Sequence, residues 1–248
     1  MKLVRQLDAL YDATLALVYP MRCAACETAG VERRVDAPAC AACWQATTIY
    51  TGDETCCWKC GAMALGCVPP EKRRDVRCRR CEDEAFTAAR AVGEYEGALR
   101  TSVLTLKREP HVALRLAGLL YAAQQRPPLD ASTRIIPVPL HAERERERGF
   151  NQATILARSL ASLSRLPLDE WSVARSVHTS RHRAGMDARA RRETVERAFQ
   201  VDRPRLVEGE RVLLVDDVFT TGATVSACAR ALKDAGAAEV FVLTVARA

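Results

Sequence analysis

The chain has 248 residues, 48% of them hydrophobic and 27% charged, with a formal net charge of +6. That balance is ordinary for a globular protein of one large or two small domains and excludes a disordered or fibrous chain. No apolar run reaches membrane-spanning length, so no membrane insertion is expected.

The first twenty residues begin like a signal peptide, with Lys2 and Arg5 around Leu3 and Val4. Asp8 and Asp12 interrupt the apolar stretch and no small-residue cleavage site follows, so the expectation is a cytoplasmic protein. Leu3, Leu7, Leu10, Tyr11 and Val18 instead predict an amphipathic helix that stops before Pro20.

Eleven cysteines follow, ten of them between residues 23 and 81. Without an export signal, metal ligation explains them better than disulfides. Eight form Cys-x-x-Cys knuckles: Cys23/Cys26, Cys40/Cys43, Cys57/Cys60 and Cys78/Cys81. Two intervening residues let both sulfurs reach one ion. Taken in order, the knuckles give the spacings of two zinc ribbons, and the sequence leaves consecutive and interleaved pairing both open. A thioredoxin-like redox role would need one knuckle beside a βαβ unit rather than four in a row. Four-sulfur sites leave no open position, which makes the expected Zn²⁺ ions, two in number, structural. Eight thiolates holding two Zn²⁺ would bring the net charge to about +2, so global charge is a weak argument for nucleic acid. Cys56 and Cys67 are left unassigned, and Cys228 suits a helix core position. Lys72, Arg73, Arg74, Arg77, Arg79 and Arg80 cluster near Trp58. That mixture suits either a solvated basic loop or a single-stranded nucleic acid.

From about residue 90 the texture changes. Tyr95, Leu99, Val103 and Leu106 read as one helix face, and Pro110 is expected to open a second helix carrying Val112, Leu116, Leu119 and Leu120. Pro127-Pro128 breaks the chain. Residues 134–138 read as a strand, 151–163 as a helix with Ile155, Leu156, Leu160 and Leu163 on one side, and 211–217 and 239–245 as further strands. Residues 143–148 alternate acid and base like a solvated segment. This alternation predicts an α/β domain with a largely parallel sheet and flanking helices, over residues 91–248, behind a cysteine-rich domain at 1–90.

The most informative stretch is residues 211–224. Val212, Leu213, Leu214 and Val215 suit a strand buried on both faces. Asp216 and Asp217 stand where it is expected to end, and Thr220-Thr221-Gly222-Ala223-Thr224 makes a turn into a helix. Val225, Cys228, Ala229 and Leu232 share one face of that helix, and Gly236 sits where a terminating glycine belongs. Gly222 lets the backbone bend, so that turn amides and a helix N-terminus can converge on a phosphate. The carboxylates suit a ribose diol, or Mg²⁺ through water. The segment resembles the signature of type I phosphoribosyltransferases, which bind phosphoribosyl pyrophosphate (PRPP). That resemblance implies that Asp216 and Asp217 hold the ribose hydroxyls and that Thr220 to Thr224 hold the 5′-phosphate.

Cysteine knuckles, Lys107, Pro137-Val138-Pro139-Leu140, Arg148-Gly149-Phe150-Asn151-Gln152 and this loop together resemble the ComF family over nearly the whole chain. The resemblance implies a type I phosphoribosyltransferase-like fold with a zinc-ribbon appendage. It also implies a cytoplasmic role in handling single-stranded DNA during natural transformation, beside a helicase-like competence protein. An active phosphoribosyltransferase of nucleobase salvage, displacing pyrophosphate from the ribose C1, is the other reading. Lys107 and Arg148 are the expected contacts to the pyrophosphate, Arg as a bidentate donor and Lys as a point charge. Arg108-Glu109-Pro110 follows Lys107 where the family usually has a glycine. The basic stretch 173–205 corresponds to a hood that closes over substrate in type I enzymes.

Overall fold

A computed structural model describes residues 21–176 and 198–248. The expected N-terminal helix lies outside the described residues, as does most of the expected hood. Four parallel strands, β1 (Ala88–Glu94), β2 (Arg134–Pro137), β5 (Arg211–Phe219) and β6 (Glu239–Arg247), form one sheet in the order β1-β6-β5-β2. A separate antiparallel pair joins β3 (Val173–Arg175) to β4 (Phe199–Val201). The helices are α1 (Ala41–Gln45), α2 (Gly97–Leu106), α3 (Leu114–Gln124), α4 (Ala142–Arg148), α5 (Gln152–Ser164) and α6 (Ala223–Asp234).

The central strands explain the architecture. Val212, Leu213, Leu214 and Val215 of β5 are fully buried, as are Val240, Val242 and Leu243 of β6, because both faces of the sheet are covered. Leu213, Val215 and Leu243 face a cluster built from Leu99 and Val103 of α2, Leu116 and Leu120 of α3, and Leu156 and Leu160 of α5. Val212, Leu214 and Val242 face the other cluster, where Val225, Cys228 and Leu232 of α6 pack with Phe86 and Phe219. The apolar face expected after Gly222 is therefore the core face of α6.

The cysteine-rich segment covers the outer edge of β1. Tyr50 N–H donates to Val92 O at 2.8 Å and Glu94 N–H to Thr48 O at 3.1 Å, while Ala89 N–H donates to Lys59 O at 2.7 Å. An edge strand with unpaired main-chain groups is thus closed off by the chain's own N-terminal part. The first cysteine group packs into the cluster with α2 and α3, the second into the cluster with α6. The two groups therefore straddle the sheet edge, one per face. Arg115 of α3 ties down the first, pairing with Asp36 at 3.0 Å and lying 4.8 Å from the Trp44 ring centroid.

Three expectations need correction. Pro110 does not open a helix: α3 begins at Leu114 after an extended Ala113, and Val112 precedes it. Tyr95 lies before α2, whose start is set by Gly97 at φ 46° and by Ala98 N–H donating to Thr47 Oγ1 at 2.8 Å. Residues 211–217 continue to Phe219, because β6 keeps pairing with β5 as far as Phe219 opposite Arg247. The alternating segment 143–148 is solvated as expected, but it is helical.

Close docking at β1 leaves no room at Gly93, where a Cβ would lie 2.1 Å from Thr48 O and 2.7 Å from Leu99 Cδ1. Gly93→Ala is expected to destabilise the protein by about 1–3 kcal/mol. Gly118→Ala in α3, where a Cβ meets nothing within 4 Å, should be neutral or stabilising. Thermal unfolding of the two variants checks both.

Candidate functional site

β2 and β5 pair up to Pro137 opposite Val215, and Val138 N–H makes a last bond to Val215 O at 2.9 Å. Pro139 then has no N–H to give, and the chain turns away into α4. β5 runs on to Phe219 with β6 on one side only. Asp216 and Asp217 stand on this one-sided stretch, at the C-terminal edge of a parallel sheet, where ligands of such folds bind.

A cavity of about 240 Å³ opens here, lined by Asp216, Asp217, Thr224, Lys107, Arg148 and Arg175 among others. Asp217 is buried, and its Oδ2 lies 3.3 Å from Lys107 Nζ, an ion pair outside hydrogen-bonding geometry. Asp216 Oδ1 accepts from the Asp217 amide at 2.8 Å. Burial, reinforced by the neighbouring Asp217 charge, pushes the Asp216 carboxyl up to about 7. The Asp217 amide, Arg175 and Lys107 act in the opposite direction.

The turn after β5 is built around Gly222 at φ 86°. A Cβ there would be left-handed and 2.8 Å from the Phe219 ring, so only glycine fits. Among the described residues, the amides of Thr220, Thr221, Gly222, Thr224 and Val225 find no acceptor, and Ala223 N–H reaches only Thr221 Oγ1 at 3.4 Å. Thr220, Thr221 and Ala223 are exposed, so these donors are open to an incoming group. The turn, the start of α6 and its dipole form a receptor for an anion.

Arg148 closes the other side. It ends α4, where Gly149 at φ 85° turns the chain, and its Nη1 donates to Gln152 Oε1. Asn151 anchors this corner twice: Nδ2 donates to Val138 O at 3.0 Å, and Oδ1 accepts from Ala153 N–H at 3.0 Å to cap α5. The structure thus gathers Lys107, Arg148, Asp216, Asp217 and Thr224 around one cavity, with Gly222 beneath the turn. Sequence reasoning missed Arg144, which also lines it, and Arg175 lines it too, from the start of the basic stretch expected to act as a hood. Arg144 stands four residues before Arg148, so a helical reading of 143–148 would have put both on one face. Arg175 was legible only as one cation of that stretch, because the β3–β4 pairing that places it is non-local.

The knuckles pair in sequence order. The sulfurs of Cys23, Cys26, Cys40 and Cys43 lie within 4.8 Å of one another, as do those of Cys57, Cys60, Cys78 and Cys81. Sγ–Sγ separations are 3.7 Å for Cys23–Cys43, 3.6 Å for Cys57–Cys81 and 3.5 Å for Cys60–Cys78. These are too long for disulfides and close to the ~3.8 Å edge of a tetrahedron with ordinary Zn–S bonds. Main-chain N–H groups point at the sulfurs, Cys40 to Cys23 at 3.2 Å and Cys78 to Cys57 at 3.3 Å. Such donors favour thiolate, the ligating form. The Thr28 hydroxyl and the Ala29 amide bring the Cys26 thiol down to about 6. Burial works against ionisation of Cys57, but the amides of Cys60, Cys78 and Lys59 outweigh it and bring that thiol to about 6. Burial and the neighbouring sulfurs push the Cys43, Cys60 and Cys81 thiols up, so it is the convergence of four sulfurs that shows each cluster could hold one zinc ion. Cys56 and Cys67 belong to neither cluster.

Residues 146–248 match the family model described as the phosphoribosyl transferase domain, and with the parallel sheet this gives the chain a type I phosphoribosyltransferase-like α/β fold behind an N-terminal cysteine-rich part. The chain is 32% identical over 216 residues to "DNA utilization protein YhgH" of Escherichia coli (strain K12), covering 84% of this chain and 89% of that protein. It is 37% identical over 141 residues to "Competence protein F" of Haemophilus influenzae (54% and 60% covered), and 27% identical over 223 residues to "Competence protein ComFC" of Bacillus subtilis (82% and 89%). The chain belongs to the ComF family. No helix among the described residues is long and apolar enough to cross a membrane.

Two outcomes are expected. Metal analysis of purified protein should return two zinc ions per chain, and a Cys78→Ser/Cys81→Ser variant one. The raised Asp216 carboxyl binds a proton in the folded state that the unfolded chain, with its ordinary value of 3.8, has released. Stability therefore falls as pH rises from about 4 through 7. Asp216→Asn should unfold a few degrees higher than wild type at pH 8, an advantage that fades towards pH 4 in thermal scans.

Proposed function

We propose that the protein binds PRPP at the sheet-edge cavity and uses that site in handling single-stranded DNA during natural transformation. The observation that carries this reading is the set of unpartnered amides around Gly222, next to two carboxylates and four cations. A 5′-phosphate satisfies the amides at Thr220, Thr221, Gly222 and Thr224 together. The ribose diol suits Asp216 and Asp217, since each carboxylate oxygen accepts a hydroxyl proton.

Lys107, Arg148, Arg144 and Arg175 supply positive charge for the pyrophosphate, for which a guanidinium is suited as a bidentate donor. Mg²⁺ fits the donor set as well: Asp216 and Asp217 are hard oxygen ligands beside the place where the phosphates would lie. When bound, it would offset diphosphate charge. Asp216 must be ionised to serve either role, so binding should weaken as pH falls below about 7.

The role in handling DNA during transformation is supported by the relatives' names, two of which are competence proteins and one a DNA utilization protein; the cytoplasmic setting and the helicase-like partner belong to the proposal.

Calorimetry with PRPP and Mg²⁺ tests the site. Wild type should bind one PRPP per chain. Asp216→Ala/Asp217→Ala and Gly222→Val should each weaken binding at least about tenfold, a loss of about 1.4 kcal/mol. Unchanged affinity in both variants would refute the assignment. In a transformable host, the double-Ala variant should lose transformation while its single-stranded DNA binding persists.

A further inference from the structure

A second cavity, of about 410 Å³, lies between the second cysteine group, β1 and the C-terminal end of α3. It shares no lining residue with the sheet-edge cavity. Its volume falls within the ~300–1,000 Å³ usual for small-molecule sites. Four guanidinium groups converge on it, from Arg73, Arg74, Arg90 and Arg126, beside the aromatic rings of Trp58 and Tyr50.

The charges in this cavity do not cancel. Two acids line it, Asp53 and Glu54. Asp53 pairs with Arg73 at 3.5 Å. Glu54 turns its carboxylate on its own loop, accepting from Thr51 N–H at 2.6 Å, Thr51 Oγ1 at 3.0 Å and Gly52 N–H at 2.8 Å. Among the described residues, no carboxylate comes within ion-pair distance of Arg74, Arg90 or Arg126.

Each of these three cations is placed differently. Arg90 is pinned, with Nη1 donating to Trp58 O at 2.9 Å and Ala89 O at 2.8 Å. Burial pulls its pKa below the ordinary arginine value, and the thiols of Cys56, Cys57 and Cys60 partly offset that. Arg126 donates to Tyr50 O at 2.7 Å, and its stem occupies the space that a Cβ on Gly52 would need. Arg74 is exposed, makes no hydrogen bond from its guanidinium, and lies 5.5 Å from the Trp58 ring centroid, with Arg90 at 5.0 Å.

Cations without anions, gathered beside an indole, define a complementary ligand: a flat aromatic body carrying concentrated negative charge. An inorganic anion would leave the Trp58, Tyr50 and Ala91 surfaces facing water, and an uncharged ring would leave Arg74 and Arg126 without counter-ions. We propose that this cavity binds a nucleotide, its base against Trp58 and its phosphate between Arg74 and Arg126. The nucleotide is either free or one unit of a single strand, since stacking on an aromatic and a guanidinium is common to both. The proposal makes no use of the sheet-edge site.

Calorimetry on the zinc-loaded full chain, with thymidine 5′-monophosphate and with a short oligothymidylate as probes, tests it. At least one probe should bind wild type at one site per chain. That binding should survive Asp216→Ala/Asp217→Ala, which separates it from PRPP binding. Arg74→Gln/Arg126→Gln and Trp58→Leu should each weaken it about tenfold or more, with PRPP affinity and zinc content unchanged. Arg74→Gln alone, at an exposed side chain without hydrogen bonds, should weaken it measurably in a protein that folds like wild type. Monophosphate binding identifies a free nucleotide as the ligand. Oligothymidylate binding with the same sensitivities, and none by the monophosphate, identifies a strand. No binding of either probe, or binding indifferent to Arg74, Arg126 and Trp58, would overturn the proposal.

Discussion

Main-chain hydrogen bonds must go somewhere, and at the C-terminal edge of this sheet they run out. β2 ends at Pro137 while β5 continues to Phe219, so the centre of the molecule acquires a strand with a neighbour on one side only. The turn around Gly222 then leaves amides without acceptors. A folded protein keeps such groups solvated or reserves them for a ligand, because burying them unpaired costs about 1–3 kcal/mol each. Everything at the site follows from that surplus of donors and from the two carboxylates brought next to it.

The opposite problem is solved at the other end of the sheet. β1 is rich in alanine and would present an open edge. The cysteine-rich segment covers it, and each of its two sulfur clusters packs against a different face of the sheet. The segment has few large side chains of its own apart from Trp44, which is buried with its indole N–H donating to Asp36 O at 2.6 Å. Metal ligation is the natural source of order for a module with so little apolar mass. The same module forms one wall of the second cavity, so its structural role at the sheet edge does not exhaust what its cations can do.

Legibility in the sequence tracked the locality of the interactions. The run Val212 to Val215 and the helix face Val225, Cys228, Ala229 and Leu232 were readable because burial on two faces and on one face leave different periodicities. The sulfur clusters were readable because each knuckle is a local device, yet their pairing was not, since it depends on contacts across 14 or more residues. β1 went unseen: Ala88-Ala89-Arg90-Ala91 has no strand propensity, and it is a strand only because β6 and the cysteine segment flank it. Pro110 misled because a proline that can start a helix can equally sit in an extended lead-in. At the site, Asp216, Asp217, Lys107 and Arg148 were named from motifs, whereas Arg175 reached the cavity through non-local pairing that no local pattern announces.

The central claim is that the turn amides are phosphate donors. Hydrogen exchange resolved to the peptide covering residues 219–226 addresses it directly. With saturating PRPP, exchange in that peptide should slow markedly, while peptides from the cysteine-rich edge stay unchanged. Identical exchange with and without the ligand would contradict the account.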